Sequence, residues 1–120
     1  MKIHEYQAKE MLARYGIQVP AGTVARSARE ARRATEDLGG RAILKAQVHA
    51  GGRGLAGGVK VVSSPGEAEE VARSMLGKNL VTRQTDARGV PVREVLVEEL
   101  AEIRQEAYLA VAVDPVYRGP

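Results

Sequence analysis

Five of the eight residues from Gly51 to Gly58 are glycine, and the stretch lies between two runs with strand character. Ala42-Ile43-Leu44 precedes it and Val59-Lys60-Val61-Val62 follows it, so the order is strand, glycine loop, strand. Glycine has no Cβ, so its backbone takes positive φ and comes close to neighbouring groups. Successive backbone N–H groups in such a loop can form a concave nest for an anion. Lys45, Arg53 and Lys60 put positive charge around it. Two readings fit: a flexible hairpin connection, or a cradle for a polyphosphate. The loop is not a Walker loop, since no Gly-Lys-Ser/Thr opens a helix, and not a dinucleotide fingerprint, since a strand follows it.

The remaining composition narrows the field. The chain has 120 residues, enough for one domain or a piece of a larger one, and enough to bury a core. That core must be aliphatic, because there is no Phe or Trp and only four Tyr. Absence of Cys excludes disulfides and thiolate metal sites. Two histidines far apart in sequence argue against a His-based zinc site. The N-terminus turns polar at once, unlike a signal peptide, and no apolar run approaches the roughly 20 residues of a membrane span. The expectation is a soluble, cytoplasmic protein. Net charge is +3, with 13 Arg among 18 cations. The basic residues are interspersed with acids and few aromatics are present to stack bases, which disfavours nucleic acid.

Three helices are predicted. The first spans about 4–15, with Ala8, Met11, Leu12 and Tyr15 on one face, Glu5–Lys9 and Glu10–Arg14 as i,i+4 pairs, and Gly16 as the stop. The second starts at a capping box, with Ser27 accepting from the Glu30 N–H and Glu30 reaching back to Ser27. Ala28, Ala31, Ala34 and Leu38 form its apolar face, and Gly39-Gly40 ends it. The third repeats the device with Ser64, Pro65 and Glu67. Its apolar face is Ala68, Val71, Ala72, Met75 and Leu76, and Gly77 stops it.

Strands are expected at 23–25, 42–48, 92–99 and 107–113, with a turn at Asp86-Ala87-Arg88-Gly89. The pattern is α/β in the mixed sense (α+β). Alternation puts Ile43, Lys45 and Gln47 on one face of their strand and Ala42, Leu44, Ala46 and Val48 on the other. Lys45 therefore either faces water at an edge or aims at something negative. Glu98, Glu99, Glu102 and Glu106 cluster between two strands. They are either a solvated connection or, for Glu106 at the head of an apolar run, an acceptor for sugar hydroxyls. His49 before the loop is an ordinary loop residue or a phosphate donor.

Taken together, several motifs resemble the start of the succinyl-CoA synthetase (succinate–CoA ligase, ADP-forming) β-subunit family of the ATP-grasp superfamily. They are His4-Glu5-Tyr6-Gln7-Ala8-Lys9, Arg14-Tyr15-Gly16, the run from Lys45 to Gly54, and Ala56-Gly57-Gly58-Val59-Lys60. Leu76-Gly77-Lys78, Leu80-Val81-Thr82, Gln84-Thr85-Asp86-Ala87, Val97-Glu98 and Glu106 follow in order. The resemblance covers nearly the whole chain. It implies the first lobe of an ATP-grasp fold, a mixed sheet with flanking helices, with residues 1–120 as the N-terminal portion of the nucleotide-binding domain of a longer, here truncated, β subunit. It assigns Lys45 to the nucleotide phosphates and Gly52, Arg53 and Gly54 to the loop that closes over them. Glu98 and Ala101 match backbone positions beside the adenine, and Glu106 the carboxylate toward the ribose. Gly54 is then a position where backbone approaches phosphate, or where φ is positive.

The implied reaction joins succinate and CoA reversibly, in the tricarboxylic acid cycle, while ATP becomes ADP and phosphate. It passes through a phosphohistidine on a separate α subunit, the partner in a heterodimer or heterotetramer. His49 does not match that carrier. No catalytic or metal-binding residue is expected within this chain, and Mg²⁺ is expected to be held by residues beyond it. Neither a nucleic-acid nor a membrane partner is implied. GTP in place of ATP, malate in place of succinate, and a stand-alone polyphosphate- or nucleic-acid-binding module remain as alternatives. The chain departs from the family pattern at Leu55 and Gln105, where lysine is common, and at Pro115, where arginine is common.

Overall fold

The computed structural model describes residues 1–112. Its elements in chain order are α1 (Glu5–Arg14), β1 (Gly22–Ala25), α2 (Ala28–Asp37), β2 (Ala42–Ala46), β3 (Val59–Val62) and α3 (Pro65–Met75), then β4 (Asn79–Leu80), β5 (Val90–Pro91) and β6 (Val95–Glu98). Four strands form one sheet in the order β1-β6-β2-β3, and β4 and β5 form a separate two-stranded ribbon. The expected sheet with flanking helices is present, and each of its pairings is antiparallel rather than mixed. β1 and β2 both run against β6, which lies between them, so β1-α2-β2 wraps around β6. In the same way β3-α3-β6 wraps around β2.

Local chemistry sets the helix ends. Ser27 and Ser64 accept from the N–H groups of Glu30 and Glu67, as the capping pattern predicts. The return bonds fall one residue earlier than expected. The Glu30 carboxylate takes the N–H of Arg26 at 2.7 Å, and that of Glu67 takes Ser63 at 2.7 Å. A glutamate side chain has the reach to span the extra residue, and the cap residue is left extended. Gly16 and Gly39 close α1 and α2 with paired bonds, Ile17 N–H to Leu12 and Gly16 N–H to Ala13 in the first case.

The core lies between the sheet and the α2/α3 layer. Ala42, Leu44 and Ala46 of β2, Val95 and Val97 of β6, Ala25 and Val62 meet Ala31, Ala34, Ala68, Ala72 and Met75. It is aliphatic and built largely from alanine, so the helices approach the sheet with little volume between. The helical period of α1 holds, but its apolar face is not buried by the described residues: Met11 is 53 %, Leu12 43 % and Tyr15 85 % exposed. The expected strand 107–113 is a correction. Residues 107–112 form no strand, and Tyr108, Leu109 and Val111 are exposed, Leu109 at 89 %. Both edges of the sheet, β1 and β3, lack a ladder to this segment, so its apolar pattern has no described surface to pack on. Val113, Pro115 and the segment 116–120 lie outside the described residues.

Candidate functional site

The site lies on the sheet face away from α2 and α3. Antiparallel partners share a face, so the register that pairs Lys45 with Leu96 and Ile43 with Glu98 puts all four on this side. α1 lies across it, held by polar bonds. The Tyr6 N–H donates to Gln47 Oε1 at 3.3 Å, and the ammonium of Lys9 donates to Glu98 Oε1. The Gln7 side chain accepts from the His4 N–H at 2.8 Å and fixes the start of the helix.

Lys45 meets a negative partner, and that partner is internal. Its ammonium donates to Glu98 Oε2 at 2.5 Å and to Glu5 Oε1 at 3.0 Å. Lys9 lies 3.0 Å from the same Glu5 oxygen. Arg53 donates to Glu5 Oε2 at 2.6 Å and to the carbonyl of Ala46 at 2.7 Å. Three cations therefore face two carboxylates. Burial opposes ionisation of Glu5, but hydrogen bonds from Arg53, Lys9 and Lys45 outweigh it and hold the carboxyl down to about 2, from an ordinary 4.5. Burial likewise pulls on the Lys45 ammonium, and the Glu98 and Glu5 carboxylates overcome it and raise its pKa. Lys60 does not join this group: its partner across the ladder is Leu44, so it lies on the opposite sheet face. The loop between the two lysines sets the register that fixes this relation.

The glycine loop is a tight turn held by its own backbone bonds. Ala56 N–H donates to Gly52, Gly57 N–H to Gly54 and Gly58 N–H to Arg53. The last two form the paired closure seen at helix ends, with Gly57 at φ +79° in the position that requires a left-handed backbone. Among the described residues, the N–H groups of Gly52, Arg53, Gly54 and Leu55 have no acceptor. The Gly51 N–H donates to Gln84 Oε1 at 2.7 Å, which ties the loop to the segment after β4. Gly54 is not at positive φ, and a Cβ there meets nothing within 4 Å. Backbone conformation therefore does not require glycine at this position.

The loop, Glu5, Arg53, Lys2, His49 and Gln84 border an open cleft of about 660 Å³. Lys45 does not line it. His49 stacks on His4 with ring centroids 4.0 Å apart, and burial together with the neighbouring His49 lowers the pKa of His4.

The predicted site residues divide. Gly52, Arg53 and Gly54 border the cleft, and Lys45 stands behind it, joined to Arg53 through Glu5. Glu98 joins them through its side chain, 1 % exposed, and is no part of a solvated acidic cluster. Glu99 clamps the entry of β1, accepting from the Ala21 N–H at 3.0 Å. Ala101 and Glu106 lie exposed in a segment without regular structure, apart from this group. Reading the sequence missed the reach of Glu5 and Lys9, which looked like a local helical pair. Nothing in a four-residue spacing signals contacts 40 or 89 residues away. Gln84 appeared only as part of a motif.

The family model described as "ATP-grasp domain" matches residues 2–120. The chain is 52 % identical over 114 residues to the succinate–CoA ligase [ADP-forming] subunit beta of Pelobacter propionicus, covering 95 % of this chain and 29 % of that protein. It is 58 % identical over 116 residues to the protein of the same name from Laribacter hongkongensis, covering 95 % and 30 %. For Francisella tularensis subsp. holarctica the identity is 56 % over 116 residues, with the same shares. The chain thus spans about three tenths of the length of these relatives.

Proposed function

This chain belongs to the ATP-grasp domain family, and from that premise we propose that it is the N-terminal part of the nucleotide-binding domain of a succinate–CoA ligase β subunit. The observation that carries the reading is the gathering of Lys45 and Arg53 with four open backbone N–H groups beside one cleft. Such a set suits the phosphates of ATP. Arg53 offers a planar fork of donors, Lys45 a compact charge, and the Gly52–Leu55 N–H groups fixed dipoles. Gly54 permits close approach. Glu98 and Ala101, through the backbone of the segment they begin, take the adenine edge, and Glu106 the ribose. Glu98 itself is buried in β6, and the exposed residues after it leave their backbone acceptors open to a ligand.

In the whole protein the reaction forms succinyl-CoA from succinate and CoA, with ATP converted to ADP and phosphate, in the cytoplasm and with an α subunit as partner. The relatives' printed name supports ADP as the product. Mg²⁺ supplies charge neutralisation between the phosphates, and its ligands are assigned outside this chain. This chain's residues bind and orient the phosphates.

Titration of the full-length protein tests the reading. Lys45→Met removes a charge-assisted hydrogen bond of roughly 1.5–3 kcal/mol and raises the ATP Kd on the order of ten- to a hundredfold. Adenosine affinity stays unchanged. An unaltered ATP Kd in the folded variant removes Lys45 from the phosphate site. Formation of ADP and succinyl-CoA by the full-length protein with an α subunit tests the ligase itself.

A further inference from the structure

The cations assigned to phosphate are already engaged. Glu5 holds Arg53 through one carboxylate oxygen and Lys45 through the other. Glu5 and Arg53 border the cleft while Lys45 does not. The carboxylate is thus presented at the position from which an anion in the cleft would reach Lys45. Glu5 is also the first residue of α1, a helix with no buried residue that the sheet holds by polar bonds.

We propose that Glu5 is an internal competitor for the phosphate site: its carboxylate occupies Lys45 and Arg53 in the ligand-free protein and yields them when a polyphosphate enters. The inference rests on the nucleotide reading above and adds a residue to it. Its physical basis is charge. Lys9, Lys45 and Arg53 face Glu5 and Glu98, which leaves about one positive charge over for an incoming anion. Glu98 is buried and stays with Lys9 and Lys45. Glu5, at the cleft, is the carboxylate that can leave. Its competition keeps the loop cations from binding any passing anion, and a ligand with several phosphate oxygens in place is needed to outbid two ion pairs. Once released, Glu5 keeps Lys9 as its helical neighbour, and α1 loses one tie to β2 and one to the glycine loop.

The test is a titration of the full-length protein with inorganic triphosphate, ATP and adenosine, with Glu5→Gln and Glu5→Asp as variants. Glu5→Gln removes the competing charge at constant shape, so triphosphate and ATP bind about tenfold more tightly, the equivalent of ~1.4 kcal/mol. Adenosine binding does not change. Glu5→Asp keeps the charge and remains near the parent affinity. In the unaltered protein, saturating triphosphate speeds amide exchange in α1, a readout that stands even if Glu5→Gln fails to fold. If the parent binds triphosphate and Glu5→Gln binds it equally or less well, Glu5 is a support for the cations and the competition is refuted, while the nucleotide site stands. Unchanged or slower α1 exchange refutes it as well. If neither parent nor variant binds triphosphate or ATP, the nucleotide reading fails and this one falls with it.

Discussion

The two faces of the central sheet are held together by different forces, although the same strands supply both. On one face Leu44, Val95 and Val97 pack against α2 and α3 through alanine and methyl surface. On the other, Lys45 and Glu98 meet α1 through ion pairs and a few hydrogen bonds. Leu44 and Lys45 are adjacent in β2 and belong to opposite regimes. Apolar packing is non-directional and resists change with pH and salt. An ion-pair network depends on ionisation and gives way to a competing charge. The stable face can therefore serve as a platform, and the polar face can exchange partners with a ligand.

The largest expected effect tests the platform. Leu44→Ala removes a fully buried side chain and costs about 2–5 kcal/mol, read by chemical denaturation. Nucleotide affinity per folded molecule stays unchanged. A loss below about 1 kcal/mol would mean that the α2/α3 face is not the stabilising one.

Acid tests the polar face. Unfolded, Glu5 takes up its proton near pH 4.5, and folded it resists until about pH 2. Between those values the unfolded chain binds more protons, so stability falls as pH falls through this window. After discounting for solvent at the cleft, the loss is about 1–2 kcal/mol. In Glu5→Gln this contribution is missing from the pH profile, and the fall between these values is smaller by that amount. A step of the same size in the variant would assign the acid sensitivity to other carboxylates.

Within the loop, two glycines separate fold from site. Gly57→Ala forces a Cβ into left-handed backbone and lowers stability by about 1 kcal/mol. Gly54→Ala meets no strain and no neighbour, so stability changes by less than about 0.5 kcal/mol. Its expected consequence is weaker ATP binding. Melting curves and ATP titrations on both variants decide the matter, and equal losses of stability would merge the two roles.

The smallest effect concerns the outer side of α1. Met11→Ser alters an exposed position, and stability should move by no more than about 0.5 kcal/mol in denaturation of the 120-residue chain. A larger loss would show that α1 packs through its apolar side in solution.

Much of this was legible in the residues alone. Ser27, Ser64 and Pro65 mark helix starts because capping is a local bond within three or four positions, and Gly16 and Gly39 mark ends for the same reason. The i,i+3,i+4 faces of α2 and α3 are the buried ones, and the strand period places Lys45 opposite Leu44. The glycine loop between two strands was likewise readable, and its Gly52, Arg53 and Gly54 border the cleft, but Lys2, Glu5 and Gln84 on the other walls were not.

What tertiary structure decided was partnership. A period says that α1 has an apolar face and that residues 107–113 could be a strand, but burial needs a second surface, and the described residues supply none to either. Strand register, which sends Lys60 to the other face, depends on the conformation of the loop in between. Above all, the sequence carries Glu5, Lys45, Arg53 and Glu98 as four separate charges. Only folding brings them within hydrogen-bonding distance, because ion pairing acts through space and leaves no periodic trace along the chain.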